Sequence, residues 1–281
     1  LITTVFLGQL ATGFLIISEV SSVFLQTKNN FSISGIVLSL AVPGFFFIGL
    51  AGIVADLFDR KKIIIFANFL LTVVILLMLF LLEHAIILII LSFAYFGVNS
   101  FFIPAVSAAS AQLVKKRQLL IANSLFISTL YGGVILGSFL AGIANFFVGH
   151  TVTLVISEVL LVLAVVVPFY LPKLEPHLRR GVSIRQESAN VFRGFIYTFK
   201  FRIVWFFFLI FSLTQGVIAF GTTLTPGFFD EVIGLSIKES PLFIFPLVGF
   251  GLALGAVFAY RIKIEESILF ISTGDISSIN A

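Results

Sequence analysis

Two carboxyl groups, Glu19 and Glu158, fall inside apolar runs long enough to cross a bilayer. A carboxyl in that setting can take up and release a proton, or bind a translocated molecule. It can also simply hydrogen-bond a neighbouring helix or reach for the headgroups. Glu19 lies about six residues, or roughly 9 Å, from the outer end of its run, and Glu158 about seven residues from the end of its own. Both are candidates for proton or substrate coupling. A second constellation spans residues 52–62, Gly-Ile-Val-Ala-Asp-Leu-Phe-Asp-Arg-Lys-Lys, where another apolar run stops. Gly52, then Asp56 four residues later, then Arg60 and Lys61, combine a small residue, an acid and a basic cluster. That pattern is more particular than the basic anchors that follow most membrane helices.

Polar residues within other runs are Gln9, Asn99, Asn123, Tyr131 and Gln215. Gln9, Asn99 and Gln215 are candidates for lining a cavity, with helix–helix hydrogen bonding as the alternative. His84, His150 and His177 fall in connections and are expected to be solvated. Asp230, Glu231 and Glu239 read as a solvated acidic loop. The chain has no cysteine, so neither a disulfide nor a thiolate metal site. It also lacks a phosphate-binding Gly-rich loop, a His-Glu-x-x-His pair, a Gly-x-Ser-x-Gly elbow and any cluster with metal-ligand spacing. No enzyme, metal or cofactor is expected.

The elements that carry these residues are membrane spans. Of 281 residues 59% are hydrophobic and 11% charged, against about 25% charged in soluble domains; mean hydropathy is +1.19. Helices satisfy their own backbone hydrogen bonds in lipid, and the runs lack the alternation of a membrane barrel. Eight spans are expected, near 1–25, 33–55, 63–82, 85–113, 119–147, 151–171, 203–226 and 241–260. The first has no basic flank or cleavage site and reads as a span, not a signal peptide. The chain begins with Leu1, so its true start is expected to lie upstream.

Every Lys and Arg falls between spans. Arg60, Lys61 and Lys62 follow span 2, and Lys115, Lys116 and Arg117 follow span 4. Lys173, Arg179, Arg180, Arg185, Arg193, Lys200 and Arg202 lie between spans 6 and 7, and Arg261 and Lys263 follow span 8. Only Lys28 and Lys238 lie on the opposite side. By the positive-inside rule the rich side is cytoplasmic, with the N-terminus and the long 172–202 linker. This distribution serves topology, and no nucleic-acid partner is implied. Within the linker, Val191, Phe192, Phe195, Ile196 and Phe199 share a helical face away from Arg193 and Lys200, the pattern of a helix lying on the inner membrane surface.

Six spans, a basic linker and further spans resemble the layout of the major facilitator superfamily, and the resemblance covers the chain to about residue 270. It is most specific in the 52–62 loop. The family pattern there is Gly, three residues, Asp, a basic residue, one residue, Gly and two basic residues. Leu57 and Asp59 depart from it. The resemblance implies that Gly52 permits close helix contact. It also implies that Asp56 faces a helix of the other half while pairing with the loop Arg, bracing one conformer as a latch. Phe101-Phe102-Ile103-Pro104-Ala105 with Ala122-Asn123-Ser124-Leu125 looks like the drug-efflux branch, but Phe96-Gly97-Val98-Asn99-Ser100 lacks the Arg that the family frequently has in span 4. Gly133, Gly137 and Gly142 match the antiporter motif Gly-x-x-x-Gly-Pro-x-x-Gly-Gly, with Ser138 for Pro and Ala141 for Gly. Small residues four apart pack helices closely whatever the activity. Gly251–Arg261 resembles a degenerate copy of the span 2 exit.

The resemblance implies an all-α bundle of two six-helix halves. A complete first half would occupy 1–171, with a linker at 172–202 and the start of a second half at 203–281. A ninth span begins at Ile264–Ser272 and yields to a polar tail, so the chain reads as C-terminally incomplete near residue 270. The expected function is proton-coupled efflux of amphipathic small molecules or drugs by a monomer in a bacterial plasma membrane. Transport of a metabolite or lipid on the same fold, or a truncated membrane protein without transport, are the alternatives.

Overall fold

The computed structural model describes residues 1–172, Leu174, residues 200–235, Glu239, Ile244, Gly251 and Leu254. It divides into two units, 1–241 and 242–281. The expected interfacial helix at 191–199, all of span 8 but Ile244, Gly251 and Leu254, and the tail from Ile264 lie outside the described residues, as does His177.

The first unit is helical: α1 (Ile2–Thr27), α2 (Asn30–Leu57), α3 (Arg60–Phe80), α4 (Ala85–Leu113), α5 (Leu119–Val166) and α6 (Arg202–Gly227). All six are long and apolar enough to cross a membrane. The described residues form no strand. Spans 1 to 4 and 7 correspond to α1–α4 and α6. The helices begin and end a few residues away from the expected bounds because polar residues cap them. Asn29 caps α2 by accepting from the Phe31 N–H (2.9 Å), and Asp59 caps α3 by accepting from the Lys61 N–H (2.9 Å).

Spans 5 and 6 are two helical limbs, as expected, joined at a single residue within α5. Gly149 has φ 80° and ψ 169°, a conformation only glycine adopts easily. The helix therefore reverses through one glycine rather than a loop. A 3₁₀ turn (Val167–Tyr170) ends the second limb. A π-helical turn (Phe228–Ile233) extends α6 where an irregular loop is expected.

The core is organised around α1. Both limbs of α5 pack against it, and α2, α3 and α4 pack beside these. Lipid offers no hydrophobic drive between helices, so close backbone approach and hydrogen bonds must hold them. Along α1, Thr4 donates to the Ala164 carbonyl (2.5 Å), Ser18 to the His150 carbonyl (2.6 Å), and Ser21 accepts from Asn145 (2.9 Å). From α5, Ser157 donates to the Ala11 carbonyl (2.7 Å). Large apolar side chains such as Phe45, Phe69, Phe147 and Phe206 point outward, as lipid-facing residues do.

Candidate functional site

The glycine motif lies in the α1–α5 contact. A Cβ on Gly133 would stand 2.7 Å from the Gln9 Cβ, and one on Gly137 would collide with the Leu10 backbone. The partner position on α1 is Gly13, whose added Cβ would meet the Ser138 nitrogen at 2.5 Å and the Val134 oxygen at 2.6 Å. Gly142 is buried in the same stretch. Gly13 carries no spacing signal in the sequence, because Gly8 is five residues away and lies on another face of α1.

Glu19 sits in the core at 3% exposure, although its distance from the end of the helix would allow it to reach headgroups. Its Oε1 accepts from the fully buried Ser92 hydroxyl of α4. Its Oε2 is buried with no hydrogen-bond partner among the described residues. About two turns along α1 from Glu19 and one turn along α4 from Ser92, Thr12 and Tyr95 pair their hydroxyls at 3.0 Å. The α1–α4 seam therefore holds two polar pairs within an otherwise apolar cluster that includes Leu15, Leu88 and Phe96. Ser92, Thr12 and Tyr95 were missed in the sequence, because a lone hydroxyl in an apolar run carries no pattern. Glu158 is half-buried, with its own Oε2 buried and lacking a partner among the described residues.

The remaining polar candidates scatter. Gln9 is buried at the α1–α5 contact and Asn99 is buried in α4, whereas Gln215 is exposed on α6. Asn123 is exposed, as is Tyr131. Asn68 of α3 is fully buried and donates to the Ala164 carbonyl (3.4 Å). It belongs with the polar seams but was not anticipated. A cavity of about 480 Å³ opens among the first turn of α1, the end of α4 and the start of α5, lined by Val5, Val106, Ser110, Ala122 and Phe126. Neither glutamate lines it.

At the 52–62 loop, Asp56 and Arg60 stand 3.5 Å apart, Asp56 half-exposed and Arg60 with its side chain fully enclosed. Arg60 Nε donates to the Ala55 carbonyl (3.1 Å). A Cβ on Gly52 would meet nothing among the described residues. Asp59, a departure from the family pattern, caps the next helix. Lys61 Nζ reaches the carbonyls of Phe169 (2.8 Å) and Leu171 (2.5 Å). The span 2–3 connection therefore meets the end of span 6.

At the opposite end, the α1–α2 turn meets the end of α6. Asn30 Oδ1 accepts from the Gly227 N–H (3.0 Å), and Lys28 Nζ lies 3.9 Å from Asp230. Asp230 thus has a partner, where a merely solvated loop acid is expected. Pro226 and Gly227 are the buried residues of α6. The connections that the charge pattern assigns to one side meet each other at both ends of the bundle.

An all-helical bundle with spans reversing through short turns, polar seams inside and apolar faces outside, is a multi-pass membrane protein. The Major Facilitator Superfamily model matches residues 1–274, and the chain belongs to that superfamily. Among curated proteins none matches in sequence. A crystal structure of a peptide transporter of the POT type (E310Q mutant, in complex with alafosfalin) is similar, with TM-score 0.57 and 16% identity. That similarity covers 95% of this chain and 68% of the other, and at this identity it speaks for the fold.

Proposed function

We propose that the chain is a secondary transporter that exports amphipathic small molecules in exchange for protons across the plasma membrane by alternating access. In this reading residues 1–171 form one half, 172–202 a cytoplasmic linker and 203–281 the start of the second half. The N-terminus is cytoplasmic and the unit is a monomer. The observation that carries the reading is Glu19: a buried carboxyl on span 1, held by one hydroxyl from Ser92, its other oxygen lacking a partner among the described residues. A carboxyl so placed can alternate between carrying a proton and contacting a cationic or polar cargo. Glu158 is the second candidate on the same grounds.

The loop after span 2 supports the conformational part of the proposal. Gly52, Asp56, Arg60 and Lys61 form the latch, with the Asp56–Arg60 pair leaving Asp56 half-exposed and available to a helix end of the other half. An acid at a helix N-terminus is favoured by roughly 0.3–1 kcal/mol, enough to bias two conformers without locking either. The test is Glu19→Gln in membrane vesicles carrying an imposed pH gradient. Efflux of a cationic dye driven by the gradient should fall while the gradient-independent leak is unchanged. Dye efflux equal to the parent on both sides of neutral pH would remove Glu19 from the coupling. Competition by metabolites but not by dyes would redirect the reading to a metabolite carrier.

A further inference from the structure

The three bases after span 2 do three different things. Lys62 is exposed and fits a plain inside anchor. Arg60 is turned into the protein. Lys61 lies across the end of span 6, where the 3₁₀ turn Val167–Tyr170 leaves carbonyls without helical partners. Its ammonium takes two of them, on Phe169 and Leu171, and a cation is the favoured group at a helix C-terminus. The chain then continues to Leu174, whose carbonyl accepts from the Arg60 N–H at 3.3 Å. The Leu174 residue is 3% exposed and packs in the cluster of Val5, Ala55, Ile64, Phe102 and Phe126.

We propose that Lys61 is a clasp that fastens the entry of the inter-half linker to the span 2–3 loop, with Leu174 as the seated plug. The segment held against the span 2–3 loop then extends to Leu174 and does not stop at the end of span 6. Any displacement of the latch loop is passed directly to the segment joining the halves. Lys61 is thus a positioning residue whose partner lies within its own half. The functional meaning rests on the alternating-access reading above, but the clasp itself is tested without transport.

Because residues 1–281 contain no cysteine, Leu174→Cys is a clean single reporter in that chain. The measurement is its rate of reaction with a maleimide in the detergent-solubilised 281-residue chain. With Lys61 present the thiol should react slowly. Adding Lys61→Met should raise the rate by about ten-fold, the change expected from losing a charge-assisted hydrogen bond of about 1.4 kcal/mol. Lys61→Arg should restore protection, and Lys62→Met should leave it intact. A reporter at Leu161, fully buried in the other core cluster, should remain unreactive throughout. The proposal fails if Leu174→Cys reacts fast with Lys61 present or stays slow in Lys61→Met. It also fails if Lys62→Met has the same effect, or if Leu161→Cys opens together with it. Loss of dye efflux in Glu19→Gln bears on the coupling reading alone, so the two ideas stand or fall separately.

Discussion

Ser92 decides how Glu19 sits. A single hydroxyl holds one carboxyl oxygen of Glu19 while the other lacks a partner among the described residues, so one contact alone orients the side chain. Ser92→Ala should leave insertion unchanged and alter the pH dependence of efflux; a pH profile superimposable on the parent would show that Ser92 does not orient Glu19. Asp59 offers a stability test at the same scale. Removing its cap in Asp59→Ala should cost about 1 kcal/mol, read as a lower thermal unfolding midpoint in detergent, whereas an unchanged midpoint would mean the Lys61 N–H finds another acceptor. The carboxyls and the basic cluster were legible in the sequence because charge in an apolar run stands out. The hydroxyls that hold them were not, since a serine or threonine every few residues is ordinary in a membrane helix. Asp59 was legible only as a departure from a pattern, although an acid before an apolar helical run is itself a start signal.

The contact between α1 and α5 is the tightest joint among the elements, and it depends on three glycines facing each other's backbones. Gly137→Leu should destabilise the fold by about 1–3 kcal/mol through overpacking, seen as reduced resistance to thermal aggregation in detergent. Gly132→Leu is the control, because a Cβ there meets open space. If both tolerate leucine equally, the close approach is not holding the half together. The sequence showed the α5 side of this joint through its spaced glycines. It did not show which helix they meet, because spacing reports a face and not its partner. The break at Gly149 was likewise legible as a boundary between two spans, but not as a one-residue reversal, since only the backbone angle distinguishes the two.

For the whole molecule, the connections meet on two opposite sides. On one, the Lys28–Asp230 pair is half-exposed and stands 3.9 Å apart. Such a pair contributes under about 1 kcal/mol, so the Asn30–Gly227 hydrogen bond is the firmer link there. On the other side, Asp56→Asn should slow transport about two- to five-fold, the effect of about 0.3–1 kcal/mol on a two-state balance, with normal abundance in the membrane. Parent-level transport would show that Asp56 is not a latch. The division into spans, the two-sidedness of the charges and the superfamily were all readable from composition and one loop. The pairing of loops at each end was not, because it joins residues more than a hundred positions apart.

Gly149 has a practical corollary. On its side of the bundle the first half shows only the turns at Lys28–Asn29, at 81–84 and at Gly149 itself. A peptide tag at Gly149 would force a residue other than glycine into φ 80° and pull Ser18 from the His150 carbonyl. A tag in the first turn would part Lys28 from Asp230 and Asn30 from Gly227. In the 81–84 turn, Ser22 and Gln26 hold the Leu82 carbonyl, whereas Glu83 and His84 are exposed; an epitope inserted between those two residues leaves the contact in place, and antibody reach to it would report which way the protein faces.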